Sequence, residues 1–365
     1  MEQTVMNATC PCCNAPLRYD GGASELQCDS CGTTFEIDAL RSIDQATQAT
    51  AQPSEMTWDR QSGGEWSAEE QASLRAYQCP SCGAEIVADD TTAATQCVYC
   101  GNPSVLPGNL SGSFRPEDVI PFKLPKEAAV KTYKQFLHGK KLLPDAFVKG
   151  NRVEEITGVY VPFWVFDCDA DASMTFRAER TTMRTSGNQE ITTTEHYLVL
   201  RDGSMGFERI PVDGSSKFED ALMEAIEPFD YQQVKPFSAA YLPGFQAERY
   251  DVEADAAKPR ADERVQESVT AAFAATVKGF TRVVPQGTRI ALQGGTVRNV
   301  LFPVWMLNTR WQGKTYTFAM NGQTGKFVGN LPIAKSKCIK WGLGLFGGTF
   351  AALFAVIYAL AAGGM

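Results

Sequence analysis

The chain has 365 residues, 44% of them hydrophobic and 21% charged, which is ordinary for a polypeptide that buries a core and excludes a disordered one. Its net charge of −8 is unevenly spread: residues 1–110 hold fifteen acidic residues against four arginines, a local −11, the first lysine is Lys123, and the remainder carries +3. An acidic N-terminal third argues against nucleic-acid binding there, because Lys and Arg supply most of the affinity for a phosphate backbone.

The opening "MEQTVMNATC" has neither the basic start nor the apolar run of a signal peptide. Nine of eleven cysteines lie before residue 101 and eight of those form CxxC pairs, which in a reducing compartment reads as metal binding rather than a disulfide scaffold. Cys10 and Cys13 are followed by fourteen residues and then by Cys28 and Cys31; Cys79, Cys82, Cys97 and Cys100 repeat that frame 69 positions later. Superposing the copies puts Pro11 on Pro80, Ala15 on Ala84 and Gln27 on Gln96, so one unit occurs twice. Four thiolates at this spacing suit tetrahedral zinc, and Gly32, Gly83 and Gly101 after the knuckles let backbone amides approach the sulfurs.

A thioredoxin-like motif expects one CxxC inside a βαβ unit, and iron–sulfur clusters use similar thiolates at other spacings. The expected cofactor is therefore Zn, two structural ions, with the eight named cysteines as ligands. A four-thiolate site leaves no open coordination position for catalysis. A unit of about 22 residues has too little core to fold alone, so the metal supplies on the order of 10–16 kcal/mol. Cys12 falls on Ser81 in the second copy and reads as a bystander.

Residues 39–76 are rich in Gln, Ser, Thr, Ala and Gly and read as a flexible linker ending in a short helix, with Ser67 as N-cap and Glu70 completing a capping box. Trp58 and Trp66 are large apolar residues there, either a docking segment or caps on neighbouring domains. The organisation expected is a zinc ribbon at 1–38, the linker, a second ribbon at 77–110, an α+β region at 111–335, and a membrane helix at 341–363. In the α+β region, Ala129, Tyr133 and Phe136 share one helical face, Phe218, Leu222 and Ile226 another, and a long helix is predicted from Arg260 to Val277. Strands are predicted in "GVYVPFWVFDCDADASMTFRAE", "HYLVLRDGSMGFERIPV" and "TYTFAMNGQTGKFVGNLP", the last as a hairpin on Asn321–Gly322. "YVPFWVF" at 160–166 resembles "LFPVWML" at 301–307, with Pro162 on Pro303 and Trp164 on Trp305, which suggests two related halves.

Several motifs fail on inspection. Asp167, Asp169 and Asp171 are spaced like a calcium loop, but Ala172 and Ala178 stand where Gly and Glu are needed, so strand alternation puts the three on one solvated face. "GKT" at Gly313 lacks the earlier glycine of a phosphate loop, which is Asn308, and "GLGLFG" at Gly342 lacks the surrounding βαβ unit of a dinucleotide site. His138 and His196 lie near no Ser or Cys elbow, and no catalytic or cofactor-binding set assembles. From Trp341 to Met365 there is no charge; residues 342–362 would rise about 31 Å as a helix against about 30 Å of hydrocarbon. This predicts one C-terminal anchor, with Lys335, Lys337 and Lys340 holding the body on the cytoplasmic side and meeting anionic headgroups.

The duplicated CPxC and CxxCG knuckles, "GGEWSAEE", "LRAYQCPSCGAEI", "PFWVFDCDADA" and "MNGQTGK" ahead of an anchor resemble, along nearly the whole chain, bacterial transcription-factor-IIB-type zinc-ribbon membrane proteins, often labelled replication-restart-helicase-like. The chain also looks like the zinc-ribbon membrane protein of the Bacillus operon encoding a phage-shock-protein-A homologue and a stomatin/prohibitin-like protein. The resemblance implies a membrane-stress or envelope-integrity role as an adaptor for those kinds of cytoplasmic partner, as a homo-oligomer or not. The chain departs from the helicase label in lacking a complete phosphate loop. The function expected is a non-enzymatic, zinc-binding, membrane-anchored adaptor; the alternative is a membrane-tethered nucleic-acid-binding regulator.

Overall fold

Three short antiparallel strands carry the first cysteine frame in a computed structural model of the chain: β1 (Leu17–Asp20), β2 (Glu25–Cys28) and β3 (Thr34–Glu36). The structure describes residues 9–10, 15–21, 25–38, 40, 58–60, 66–89, 97–102, 106–108, 115–150, 155–187 and 189–362. Next come β4 (Trp58–Arg60), α1 (Ala68–Ser73), β5 (Leu74–Gln78), β6 (Glu85–Asp89), β7 (Leu106–Gly108), β8 (Asp118–Val119), α2 (Lys126–Leu137) and α3 (Asp145–Gly150). The long strands β9 (Thr157–Ser186) and β10 (Gln189–Asp213) follow, then α4 (Asp220–Ala225), β11 (Lys235–Pro236), β12 (Gln246–Glu248) and α5 (Ala254–Thr276). β13 (Arg282–Trp311), β14 (Lys314–Asn321), β15 (Phe327–Gly329) and α6 (Lys335–Ala362) complete the chain. This is the mixed α+β architecture expected, with β4 to β15 in one twelve-stranded sheet whose main path runs β11-β8-β13-β9-β12-β6-β5-β7.

The chain forms two units. One comprises Met1–Gln61, Trp164–Val212 and Ala254–Arg298. Within it α5 buries Ala257, Ala261, Val265, Val269 and Phe273, a stripe at helical spacing. The helix starts six residues before the predicted Arg260 and contains Pro259 at its sixth position, past the first turn, where the ring removes the i→i−4 hydrogen bond to Asp255 O. Strand alternation holds through the acidic stretch: Cys168, Ala170 and Ala172 are buried, whereas Asp169 and Asp171 are exposed. Half-buried Asp167 accepts from the Arg209 backbone N–H at 2.6 Å and faces Arg298 at 3.4 Å.

The other unit comprises Ser62–Phe163, Asp213–Glu253 and Asn299–Met365. Its contacts occur twice in matching register. β8 lies parallel to β13 with Asp118 and Val119 opposite Val300 and Leu301, and β12 lies parallel to β9 with Gln246 and Ala247 opposite Val159 and Tyr160. Gly322 N–H donates to Pro303 O at 2.8 Å as Gly214 N–H does to Pro162 O at 2.9 Å. Lys123 and Leu124 donate to Gly322 O, and Asp251 and Val252 to Gly214 O. α2 and α5 begin eight residues after Asp118 and Gln246 respectively. A core of Tyr133, Phe147, Trp305, Phe318 and Met320 packs beneath α2, and a second joins Trp66, Val119, Tyr160, Leu242 and Leu301.

Three local expectations change. The predicted helix around Phe218–Ile226 is only the six-residue α4, which buries Met223 and Ile226 while Phe218 turns to Tyr99. Asn321–Gly322 is not a two-residue hairpin: the Asn321 N–H reaches Lys326 O, and buried Asn321 donates to Ile226 O and Pro228 O while accepting from Gln323 and Thr324 N–H. In the linker segment, Trp58–Arg60 pairs with Gly295–Val297, and Trp66 is buried edge-on to Phe237 at 5.9 Å. The capping box forms, with Glu70 N–H donating to Ser67 Oγ and Ser67 N–H to Glu70 Oε2. Residues 41–57 and 61–65 of that segment lie outside the described residues.

Candidate metal centres

A CxxCG knuckle folds back because its cysteine N–H bonds five residues ahead while its glycine N–H bonds back to the cysteine carbonyl. This occurs at Cys28 (Thr33 O, Gly32 N–H), Cys79 (Ala84 O, Gly83 N–H) and Cys97 (Asn102 O, Gly101 N–H), with φ of 74°, 73° and 68° at the three glycines. A residue with a Cβ is strained in that left-handed conformation. At Cys10 the N–H reaches Ala15 O in the same way.

These turns bring sulfurs together. Cys79, Cys82, Cys97 and Cys100 have all four Sγ within 4.8 Å of one another, as do Cys10, Cys28 and Cys31; Cys13, the fourth predicted ligand there, and its neighbour Cys12 lie outside the described residues. Sγ···Sγ separations of 3.6 Å recur at Cys79–Cys100, Cys82–Cys97 and Cys10–Cys31. That is far beyond a disulfide bond of about 2.05 Å and close to the roughly 3.8 Å edge of a tetrahedron with Zn–S of about 2.3 Å. The donor set therefore fits a tetrahedral thiolate-binding ion. Among the described residues these are the sole groups of three or more metal-ligand side chains, and Asp167, Asp169 and Asp171 do not form one.

In the second cluster the environment acts differently on neighbouring thiols. Burial opposes ionisation of Cys79, but the backbone N–H groups of Cys82 and Ser81 outweigh it and bring its thiol down to about 7. Burial pushes Cys82 and Cys97 up. A bound divalent ion removes that conflict by compensating the thiolate charge.

The two clusters differ in their settings. The first has its own sheet, β1–β3, and a small core of Cys10, Cys28, Phe35 and Leu40. The second is knitted into the large sheet: β6 pairs with β12, Arg249 bridges to Glu85 at 2.5 Å, and Asn308 Nδ2 donates to Val98 O at 2.5 Å and Tyr99 O at 2.6 Å inside the Cys97–Cys100 knuckle. Asn308 carries no sequence signal beyond being a polar residue in an apolar strand. Behind the knuckle lie buried Glu248, pushed up to about 8 by burial, and Asp213, raised by burial and by Glu248. Hydrophobic patterning does not foresee this pair.

Downstream, α6 is long and apolar enough to cross a membrane, and it is not buried over Lys335–Ala355. His138 is exposed, and His196 Nδ1 stands 3.7 Å from Glu179.

The fold and sites thus define an α+β protein with two CxxC sulfur clusters and a C-terminal apolar helix. No family profile and no solved structure matches the chain. It belongs to the family of a Bacillus subtilis protein described as uncharacterized protein YdjG, to which it is 33% identical over 349 residues, 96% of each chain.

Proposed function

We propose that this chain is a zinc-stabilised, membrane-anchored adaptor without enzymatic activity, its folded body cytoplasmic and its role in membrane stress or envelope integrity. The observation that carries the reading is the pairing, in one chain, of a four-cysteine and a three-cysteine sulfur cluster with an apolar helix that is not buried in the fold over Lys335–Ala355. Zinc is the ion that closed four-thiolate sites of this spacing favour, and Cys10, Cys13, Cys28 and Cys31 hold one ion while Cys79, Cys82, Cys97 and Cys100 hold the other. Lys335, Lys337 and Lys340 before the apolar run support a cytoplasmic body, since short basic flanks are retained on that side.

The work divides between the ribbons. The second is part of the sheet and serves the core; the first, acidic and in a sheet of its own, is the surface for a cytoplasmic protein, of the phage-shock-protein-A or stomatin/prohibitin kind that the family resemblance implies. The matched contacts around Pro162 and Pro303 support reading the core as two copies of one β-α-β-β unit, β8-α2-β9-β10 and β12-α5-β13-β14.

Alkaline extraction of membranes, metal analysis and co-purification test this together. The expected result is a chain that resists extraction, carries two zinc ions and retains a protein partner that is lost in Cys28→Ser/Cys31→Ser. A metal-free or freely soluble chain overturns the reading, and nucleic acid retained at moderate salt with no protein partner favours the tethered-regulator alternative.

A further inference from the structure

The turn between α2 and α3 is fastened to the base of α6. Ala334 N–H donates to Leu142 O at 2.9 Å, Lys337 Nζ donates to Leu143 O at 2.8 Å and pairs with Asp145 at 2.7 Å, and Lys141 Nζ stands 4.6 Å from the centroid of the Trp341 ring. These contacts fix α2 beside the point at which the apolar helix begins.

Two kinds of side chain surround that point. Large apolar groups are left exposed: Leu142 at 41%, Val148 at 44%, Ile333 at 68% and Trp341 at 50%. Exposed lysines stand among them: Lys131 and Lys134 on the outer face of α2, Lys140 and Lys141 on the turn, Lys335 and Lys340 on α6. Lys131 and Lys134 lie on one face of α2 and, with Val130 and the C-cap residue His138, line an open groove of about 630 Å³. The acidic groups of the same stretch are Glu127, at the far end of that face, and Asp145, already paired with Lys337. Nucleic acid would use the cations and could stack on Trp341 but gives exposed Leu142, Val148 and Ile333 no role. A bilayer surface uses both, since tryptophan and aliphatic groups settle at the interface while lysines extend from it towards phosphate.

We propose that the outer face of α2, the turn at residues 138–145 and the first turn of α6 form one binding surface for anionic phospholipid headgroups. The inference rests on α6 being a membrane anchor and adds to it a choice of lipid. It places α2 flat against the headgroup layer and makes the orientation of the folded body depend on membrane charge.

The test uses the full-length chain in nanodiscs of phosphatidylcholine alone or with about 30% phosphatidylglycerol, read by amide hydrogen exchange. With anionic lipid the amides of the last turn of α2 and of residues 138–145 should exchange at least about fivefold more slowly, while α5 and β13 are unchanged. The protection should vanish in Lys131→Gln/Lys134→Gln/Lys140→Gln, whose side chains are solvent-exposed, with β13 exchange reporting that the variant is folded. Equal exchange in the two nanodiscs overturns the proposal, as does equal protection by soluble glycerol phosphate in neutral nanodiscs, which would make the site one for free phosphate. A chain that enters nanodiscs of neither composition instead defeats the anchor reading itself.

Discussion

At Gly322 the absence of a side chain is a packing requirement. A Cβ there would stand 2.7 Å from the Phe122 ring and 2.9 Å from Pro303 Cβ, whereas at the matching Gly214 it would meet Pro162 O at 3.1 Å and Tyr250 Cβ at 3.3 Å. Gly322→Ala should therefore destabilise the fold by about 2–3 kcal/mol and Gly214→Ala by about half as much, read as shifts in the chemical denaturation midpoint. Glu248 supplies a pH dependence. Its folded carboxyl, raised by burial to about 8 from an ordinary 4.5, holds a proton that the unfolded chain has released. The native state binds more protons across that window, so stability falls as pH rises from about 4.5 to about 8 and is level beyond. Between pH 6 and 8.5, with zinc present throughout, the loss from this group should be about 2–3 kcal/mol, and Glu248→Gln should flatten it. An unchanged slope in the variant would assign the dependence to other groups.

At the scale of elements, the two cysteine frames are the same in sequence and differ in what they support. The first sits on three strands with a four-residue core, and the second shares a sheet with β12 and offers Val98 and Tyr99 carbonyls to Asn308. If both frames hold zinc as proposed, Cys28→Ser should lower bound zinc from two to one and leave the main unfolding transition within about 0.5 kcal/mol. Cys97→Ser should lower zinc equally but cost the main transition more than about 3 kcal/mol, because β6 and the knuckle lose their support together. Equal effects of the two variants would mean that the frames are equivalent in use as well as in sequence. The frames themselves were legible because a metal site fixes residue type and spacing at once. The capping box and the Ala129–Tyr133 face were legible because both are local, three to four residues apart. β13 was not predicted as a strand and surfaced only in the likeness of "LFPVWML" to "YVPFWVF", since Pro285, Gly287, Gly294 and Gly295 break the strand pattern upstream, yet the strand begins at Arg282. The matching contacts around Pro162 and Pro303 surfaced only as a proline and a tryptophan because they are backbone N–H to carbonyl bonds, which leave almost no trace in side-chain identity.

At the scale of the whole molecule, the decisive question is whether α6 meets lipid or protein. A 28-residue helix rises about 42 Å, more than a hydrocarbon core of about 30 Å requires, so a helix that spans with its uncharged residues 341–362 in the hydrocarbon has its lysine-bearing first turn at the headgroups. Leu343, Leu345, Phe346, Phe350, Leu353 and Phe354 are all between 61% and 71% exposed. A helix that buried its apolar face in the fold would stabilise that fold, and polar substitutions there would lower the unfolding midpoint. An anchor behaves oppositely: its side chains matter to the bilayer and not to the fold. One arginine near the centre of a span costs about 2.5–3.5 kcal/mol of insertion, which a strongly apolar helix absorbs. Leu353→Arg alone should therefore leave the chain in the membrane fraction, whereas Phe350→Arg/Leu353→Arg should move most of it to the soluble fraction. The cooperative unfolding of the extracted body, followed by near-UV circular dichroism, should be the same in both variants. Loss of that transition together with membrane release would make α6 part of the folded core and remove the anchor.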